Sequence, residues 1–328
     1  MAGRESDLID PEFWRGKRVV VTGGAGFIGS YVVAKLRETA GLPSESIVVP
    51  RSATCDLRVL SNCRTALEGC DIVIHLAAVT GGISFSRSYP ASQYFDSTMI
   101  DLNVIAAARE AGVKKLVAIG NLFAYASDAP IPLDERDLFS GLPTDAHRGV
   151  GWMKRNLALM ADLNHRQYGF PMTVVYSANA YGPRDSVDPA HAHVIPSLIM
   201  KCLTQPELVV WGDGTPTRDF LFADDVATGL LLAAERLEAP NFVNLGSGAE
   251  ISVRELVEMI AEFTEFSGPI SFDASKAGGD ARRCTSIERA RASLGFRPRH
   301  TMREGIEATV RWYRDRLAGT PAAGARVS

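Results

Sequence analysis

The apolar run KRVVVT breaks abruptly into VTGGAGFIGS, which sets Gly23, Gly26 and Gly29 three residues apart where a strand would turn straight into a helix. Glycines in such a turn let the backbone approach a pyrophosphate, whose charge is met by the free N–H groups and positive end of the following helix. A glycine triplet alone is weak evidence. The strand before it and the amphipathic segment from Phe27 after it make it a dinucleotide-binding signature. Gly23, Gly26, Phe27, Ile28 and Gly29 are therefore expected against a cofactor.

Further short apolar runs repeat the same rhythm between longer amphipathic segments: SIVVP, DIVIHLAA, KKLVAIG and MTVVYSA. Near-continuous Val, Ile and Leu is the pattern of strands buried on two faces, so the expected fold class is α/β: a doubly wound Rossmann-type parallel sheet. Buried helices would need longer runs with less glycine and proline punctuation. After about Asn179 the sequence becomes rich in turns, interleaved with helices expected near Val194, Asp224, Val253 and Met302. This predicts a dinucleotide-binding domain over 1–180 and a smaller, mainly substrate-binding domain over 181–328. The strand-like NFVNLG suggests that about 222–250 returns to the first sheet, and 319–328 has the composition of a disordered tail.

The chain has 328 residues, 46% of them hydrophobic, enough for a substantial core, and a formal net charge of −3. That balance offers no general basis for binding nucleic acid or an anionic membrane. No apolar run has the length of a membrane span, the amino terminus is polar and acidic, and a cytoplasmic protein is expected. Cys55, Cys63, Cys70, Cys202 and Cys284 are scattered with no Cys-x-x-Cys pair, which argues for reduced, mostly buried thiols and against a disulfide framework or a zinc site.

Beyond the second predicted strand, PRSATCDLR presents Arg51 before Asp56 and Leu57. An acidic residue there suits the ribose hydroxyls of NAD and a basic one the 2′-phosphate of NADP, so NADP is favoured and NAD remains possible. Leu76, Ala77 and Ala78 at the end of DIVIHLAA are small or apolar and would let the cofactor lie close to the strand end.

Together, VTGGAGFIGS, HLAAVTGGI, LDERDLFSGLPTDAHRGVGWMKRN, NAYGPRDSVDPAHAHVIPSLIMK and WGDGTPTRDFLFADDVA resemble the extended short-chain dehydrogenases that act on nucleotide sugars, the GDP-L-fucose synthase type among them. The resemblance covers nearly the whole chain. It implies a Tyr and a Lys four residues apart on one helix face, the Lys holding the nicotinamide ribose and lowering the Tyr pKa so that the phenol exchanges a proton during hydride transfer. Here the matching positions are Val150 and Lys154. The family's supporting hydroxyl falls on Asn121, four residues before Tyr125, and its acid-base cysteine on Phe123. An Asn can hydrogen-bond a substrate oxygen but is no proton donor near neutral pH, and a Phe does neither. The family's histidine for epimerisation matches His193, although a histidine at a helix start can equally bond the backbone. His147, His191, Tyr125 and Tyr181 are candidate substitutes for the missing phenol, none at the family's spacing.

A nucleotide diphosphate needs cations and a slot for its base. Trp211, Arg218, Arg282 and Arg283 offer these in glycine-rich loops, where Trp211 could also be core and the arginines a solvated face. The resemblance adds Gly82, Asn179 and Val194 to the substrate side, with Phe123 and Val150, and implies a homodimer built on the helix carrying Lys154 and the one near Ser97 to Ala111. Three functions stay open on these residues. They are an NADP(H)-dependent nucleotide-sugar epimerase or reductase with altered proton-transfer groups, a binding homologue with impaired turnover, and an oxidoreductase on a non-sugar substrate.

Overall fold

The computed structural model describes residues 8–81, 83–188, 192–276 and 281–319. The expected α/β architecture is present. β1 (Val19–Thr22), β2 (Ile47–Val48), β3 (Ile72–His75), β4 (Lys115–Asn121), β5 (Met172–Ser177) and β10 (Phe242–Leu245) form one parallel sheet in the order β2-β1-β3-β4-β5-β10. Every residue of β1, β3 and β5 is buried. Their β-branched side chains are stiff and suit a pleated surface covered on both sides.

α1 (Pro11–Trp14) precedes the sheet; between the strands run α2 (Phe27–Glu38), α3 (Leu60–Leu67), α4 (Ile83–Ser88), α5 (Pro90–Glu110) and α6 (Arg148–Tyr168), and α8 (Ala223–Arg236) leads into β10. Two helical layers result, α2 packed on α8 and α5 set between α3 and α6. Lys35 on α2 reaches Asp224 on α8 at 2.9 Å, tying the first layer together. The strand order reverses between β1 and β3. In an open parallel sheet such a switch point leaves a crevice at the carboxyl ends of the strands, where ligands bind. The loops after β1 and β3 therefore flank one site.

The remaining elements are small: β6 (Asn179–Tyr181) pairs with β9 (Phe220–Phe222), β7 (Leu208–Trp211) with β12 (Ile270–Asp273), and β11 (Ile251–Ser252), β8 (Thr217–Arg218) and β13 (Arg282–Arg283) make a three-stranded sheet. α7 (Val194–Thr204), α9 (Val253–Thr264) and α11 (Met302–Leu317) enclose a second core that includes Tyr181, Ile199, Leu256, Ile306 and Tyr313, while α10 (Glu288–Leu294) returns to α8. Capping boxes start two of these helices, Ser252 with Glu255 and Thr301 with Glu304. Each satisfies orphan N–H groups of a first turn. The five cysteines are free, four of them buried. Among the described residues no helix is long and apolar enough to cross a membrane. The predicted tail lies outside the described residues, apart from Gly319.

Candidate active site

The glycine turn is a cradle that side chains would fill. Gly23 has φ +69°, and a Cβ there would meet Ala77 N at 2.9 Å; a Cβ on Gly29, inside the first turn of α2, would meet Gly23 O at 2.1 Å. The second contact is far inside van der Waals range, so the turn and the helix start can approach this closely only without a side chain. Gly26 is the N-cap of α2, with no side chain to occupy the helix end. The opposite wall is set by Thr22, whose Oγ1 accepts the N–H of Leu76 and of Ala77, each at 3.2 Å. Beneath it, His75 lies between Thr22 Oγ1 at 2.7 Å and Asp101 Oδ1 at 2.9 Å, all buried. The residues fit a dinucleotide pyrophosphate: an open helix start with small residues on two sides.

Past β2, Arg51 is exposed, while its carbonyl accepts the N–H of Thr54 and of Cys55 in a tight turn. Asp56 is engaged by Arg58, which donates to it from its backbone N–H and its guanidinium and reaches Asp96 as well. That pairing holds the Asp56 carboxyl below the usual carboxylate range. The adjoining Leu57 is buried, and its carbonyl accepts Asn103 Nδ2 at 3.1 Å.

At the end of β4, Lys154 on α6 is buried and donates from Nζ to Ile119 O at 3.0 Å. Burial lowers its pKa, opposed by the charge of Asp101. Asn121, the last residue of β4, accepts Phe123 N–H through Oδ1 at 3.2 Å, so its amide NH2 is the donor it can offer a ligand. Val150 is in the first turn of α6, one turn ahead of Lys154. The start of α6 is clamped onto the loop after β4: Arg155 Nε and Nη2 donate to Ala124 O at 2.9 and 2.6 Å, and a Cβ on Gly151 would come within 2.4 Å of Phe123 O.

His193 precedes the first residue of α7, Val194, which is exposed. The His193 side chain makes no capping bond to the helix. Instead Nδ1 lies 3.0 Å from Asp185 Oδ2, and this hydrogen bond raises the His193 pKa. Asp185 is itself buried, accepts Ser186 N–H, and offers its backbone carbonyl to Tyr313 Oη. Sequence reasoning missed Asp185, because a carboxylate eight residues ahead of a histidine carries no regular-structure period. It also missed the Thr22–His75–Asp101 network, whose members come from three separate elements.

Two of the candidate replacements for the phenol are corrected by the structure. Tyr125 is fully buried, with Oη donating to Asn244 Oδ1 at 2.7 Å, and Tyr181 belongs to the second core, its Oη near Met302 O. Burial raises the pKa of each, so neither ionises near neutral pH. His191 and Gly82 lie outside the described residues. His147 remains, its ring stacked on Phe123.

On the substrate side Trp211 ends β7 and is 62% exposed, which removes it from the core, with Lys276 Nζ 5.8 Å above its ring. Arg218 and Arg282 are on paired strands, β8 and β13. Arg282 Nε donates to Glu250 Oε2 at 3.0 Å, and Arg218 Nη1 to Thr217 O at 2.7 Å. Asn179 opens β6 and donates from N and Nδ2 to Asp219 O, each at 3.3 Å. Arg283 is not a phosphate-facing cation as its sequence context suggested. It is buried, and its guanidinium donates to Leu122 O at 2.7 Å and Ala126 O at 3.5 Å, because a strand side chain facing the loop after β4 must satisfy the carbonyls there.

Sheet order, glycine cradle and buried lysine at the end of β4 define a dinucleotide-dependent enzyme of the short-chain dehydrogenase type, and the chain belongs to the NAD dependent epimerase/dehydratase family, whose model matches residues 19–246. Its cofactor class is a nicotinamide dinucleotide. Among its relatives it is 32% identical over 307 residues to a probable GDP-L-fucose synthase 1 of Oryza sativa subsp. japonica, covering 91% of this chain and 92% of that one. It is 30% identical over 324 residues to the GDP-L-fucose synthase of Escherichia coli K12, covering 92% and 99%. Of solved structures, the UDP-glucose 4-epimerase of Thermotoga maritima with UDP-glucose superposes with a TM-score of 0.82 at 26% identity, covering 91% of this chain and 99% of that one.

Proposed function

We propose that this chain is an NADP(H)-dependent epimerase/reductase acting on a nucleotide-diphosphate sugar, with proton-transfer groups unlike those of its family. The observation that carries the reading is Lys154, buried at the end of β4 beside the switch-point crevice, in a chain about 30% identical to GDP-L-fucose synthases over most of its length. A bound nicotinamide dinucleotide supplies or accepts the hydride. Gly23, Gly26, Phe27, Ile28 and Gly29 hold its pyrophosphate; Leu76, Ala77 and Ala78 let it lie along the sheet; Lys154 holds the nicotinamide ribose. Arg51 favours the 2′-phosphate of NADP, and the Asp56–Arg58 pairing supports this by leaving the nearby carboxylate already engaged.

For the sugar nucleotide, Arg218 and Arg282 supply cationic hydrogen bonds to the diphosphate and Trp211 a face for the base. Asn179 and Val194 line the sugar side, and Asn121 donates to a sugar oxygen. His193, oriented by Asp185, exchanges a proton at a carbon beside the sugar carbonyl. The exposed apolar positions Phe95 and Leu102 on α5 and Leu159 and Leu163 on α6 support a homodimer through these helices. The free thiols fit a reducing cytoplasm.

The test is the purified protein with NADP(H) in deuterated water and a panel of GDP-, UDP-, CDP- and dTDP-sugars with their 4-keto-6-deoxy derivatives, read by mass spectrometry and NMR. Deuterium in the sugar or a new sugar is expected. Val150 and Phe123, an aliphatic and an aromatic group where the family carries proton donors, favour one competing reading, a binding homologue. Tight binding without exchange or hydride transfer would establish that reading instead. Failure to bind any of these sugars would point to a non-sugar substrate.

A further inference from the structure

His147 stands at the N-cap of α6, three residues before Val150, and its imidazole lies flat on the ring of Phe123, centroids 3.8 Å apart and planes within 7°. Its Nδ1 is 3.3 Å from Thr144 Oγ1, which fixes the ring's rotation within its plane. Val150 and His147 line the same pocket of about 180 Å³, closed on its far side by Ser86, Arg87 and Gln93. Ser86 and Gln93 are buried, and Gln93 Nε2 donates to Val79 O, continuing this wall into the loop after β3. Phe123, on which His147 stacks, lies in the loop after β4, and Val79, which Gln93 holds, lies in the loop after β3, so the pocket's walls are joined to the loops that follow both strands. The Arg155 and Gly151 contacts with residues 123 and 124 hold this arrangement in register.

We propose that His147 is the residue that exchanges a proton with the reacting sugar oxygen, in the pocket it shares with Val150, while His193 serves the carbon. The inference rests on the nucleotide-sugar reading and deepens it. Two departures from the family then become one device: a small Val150 leaves the pocket open to the imidazole, and Phe123 gives it an aromatic platform. An aromatic face accommodates a neutral ring by stacking and an imidazolium by cation–π attraction, so the platform serves either protonation state. Histidine is the side chain whose ordinary titration lies nearest neutral pH. In the reducing direction an imidazolium N–H bond breaks and an O–H bond forms on the sugar oxygen, whose electron pair is released as the carbonyl carbon is reduced. The neutral imidazole regains its proton from water, and the oxidising direction is the reverse. Among the described residues, the charged groups lining the pocket with it are Asp145 and Arg148, paired with each other on its own segment, and Arg87.

The experiment compares the full-length protein with His147→Gln on the sugar panel and NADPH. Turnover is expected to fall about 100-fold or more, the scale of a lost acid-base group, and its pH profile to change, while NADPH affinity stays unchanged. In parallel, the imidazole resonance of His147 in the wild-type protein should shift on adding the 4-keto-6-deoxy sugar nucleotide without cofactor. Wild-type turnover matched by His147→Gln with the same pH profile overturns the inference and leaves the enzyme reading standing. A wild-type protein that neither oxidises NADPH nor exchanges deuterium with any sugar overturns the two together. Should the glutamine variant fail to fold, the wild-type resonance, assigned through Ala146 and Arg148, decides: no shift with a sugar nucleotide that binds overturns the inference.

Discussion

At position 150 the resemblance implies a Tyr, and this chain carries Val. Lys154 is in place one helical turn away, so Val150→Tyr restores the pair of groups the family resemblance implies. It should increase hydride-transfer rate, measured as NADPH oxidation with the sugar panel; no gain in a folded, cofactor-binding variant would rule out a defect confined to one side chain. The Asp185 hydrogen bond raises the pKa of His193, so His193 keeps its proton to higher pH than a free imidazole. Asp185→Asn removes that stabilisation of the charged form and lets the pKa fall. The neutral base then appears at lower pH, and the limb of the deuterium-exchange profile that depends on it should move in the acidic direction. A profile that does not move would detach His193 from the exchange step. The role proposed for Arg51 in cofactor choice is tested by Arg51→Glu, which should weaken NADPH binding about 10-fold or more, the worth of a charged hydrogen bond, with little change for NADH in a fluorescence titration. Equal weakening of NADPH and NADH would remove it from the 2′-phosphate.

Among the elements, the turn from β1 into α2 has the least tolerance. Gly29→Ala puts a methyl group 2.1 Å from Gly23 O, and the backbone rather than a flexible side chain would have to move. A loss of about 1–3 kcal/mol of stability is expected in denaturant unfolding, with loss of dinucleotide binding. Retained NADPH affinity would mean that the cradle is looser than its geometry. This element was legible in the sequence because its constraint is local: strand pattern, glycine spacing and helix pattern fall within about twenty residues. The parallel strands were legible for the same reason, since burial on two faces marks each run by itself. At the candidate site, family resemblance singled out Lys154, Asn121 and His193 one residue at a time. Their partners were not. Phe123 and His147 are separated by the long loop between β4 and α6, and Arg283 looks like a surface cation until β13 is seen to face the loop after β4. Side-chain partnerships of that kind depend on how distant segments meet, which no short-range period records.

At the scale of the molecule, the exposed apolar positions on α5 and α6 predict the assembly. Phe95→Glu with Leu159→Glu should convert a dimer into a monomer in size-exclusion chromatography with light scattering; an unchanged dimer mass would locate the interface elsewhere. The seam between the large sheet and the substrate-side strands has a different character. Arg283 donates to Leu122 O and Ala126 O, and Leu133 exchanges backbone hydrogen bonds with Cys284 and Ser286 on either side of Thr285. Chain segments far apart in sequence are thus stitched together along the loop that carries Phe123. For anyone recombining this protein with a relative to change its sugar, the unit of exchange is set by that stitching: residues 122–133 and 282–286 have to travel as a single cassette, because a crossover between them parts a buried cation from the carbonyls it was folded to meet.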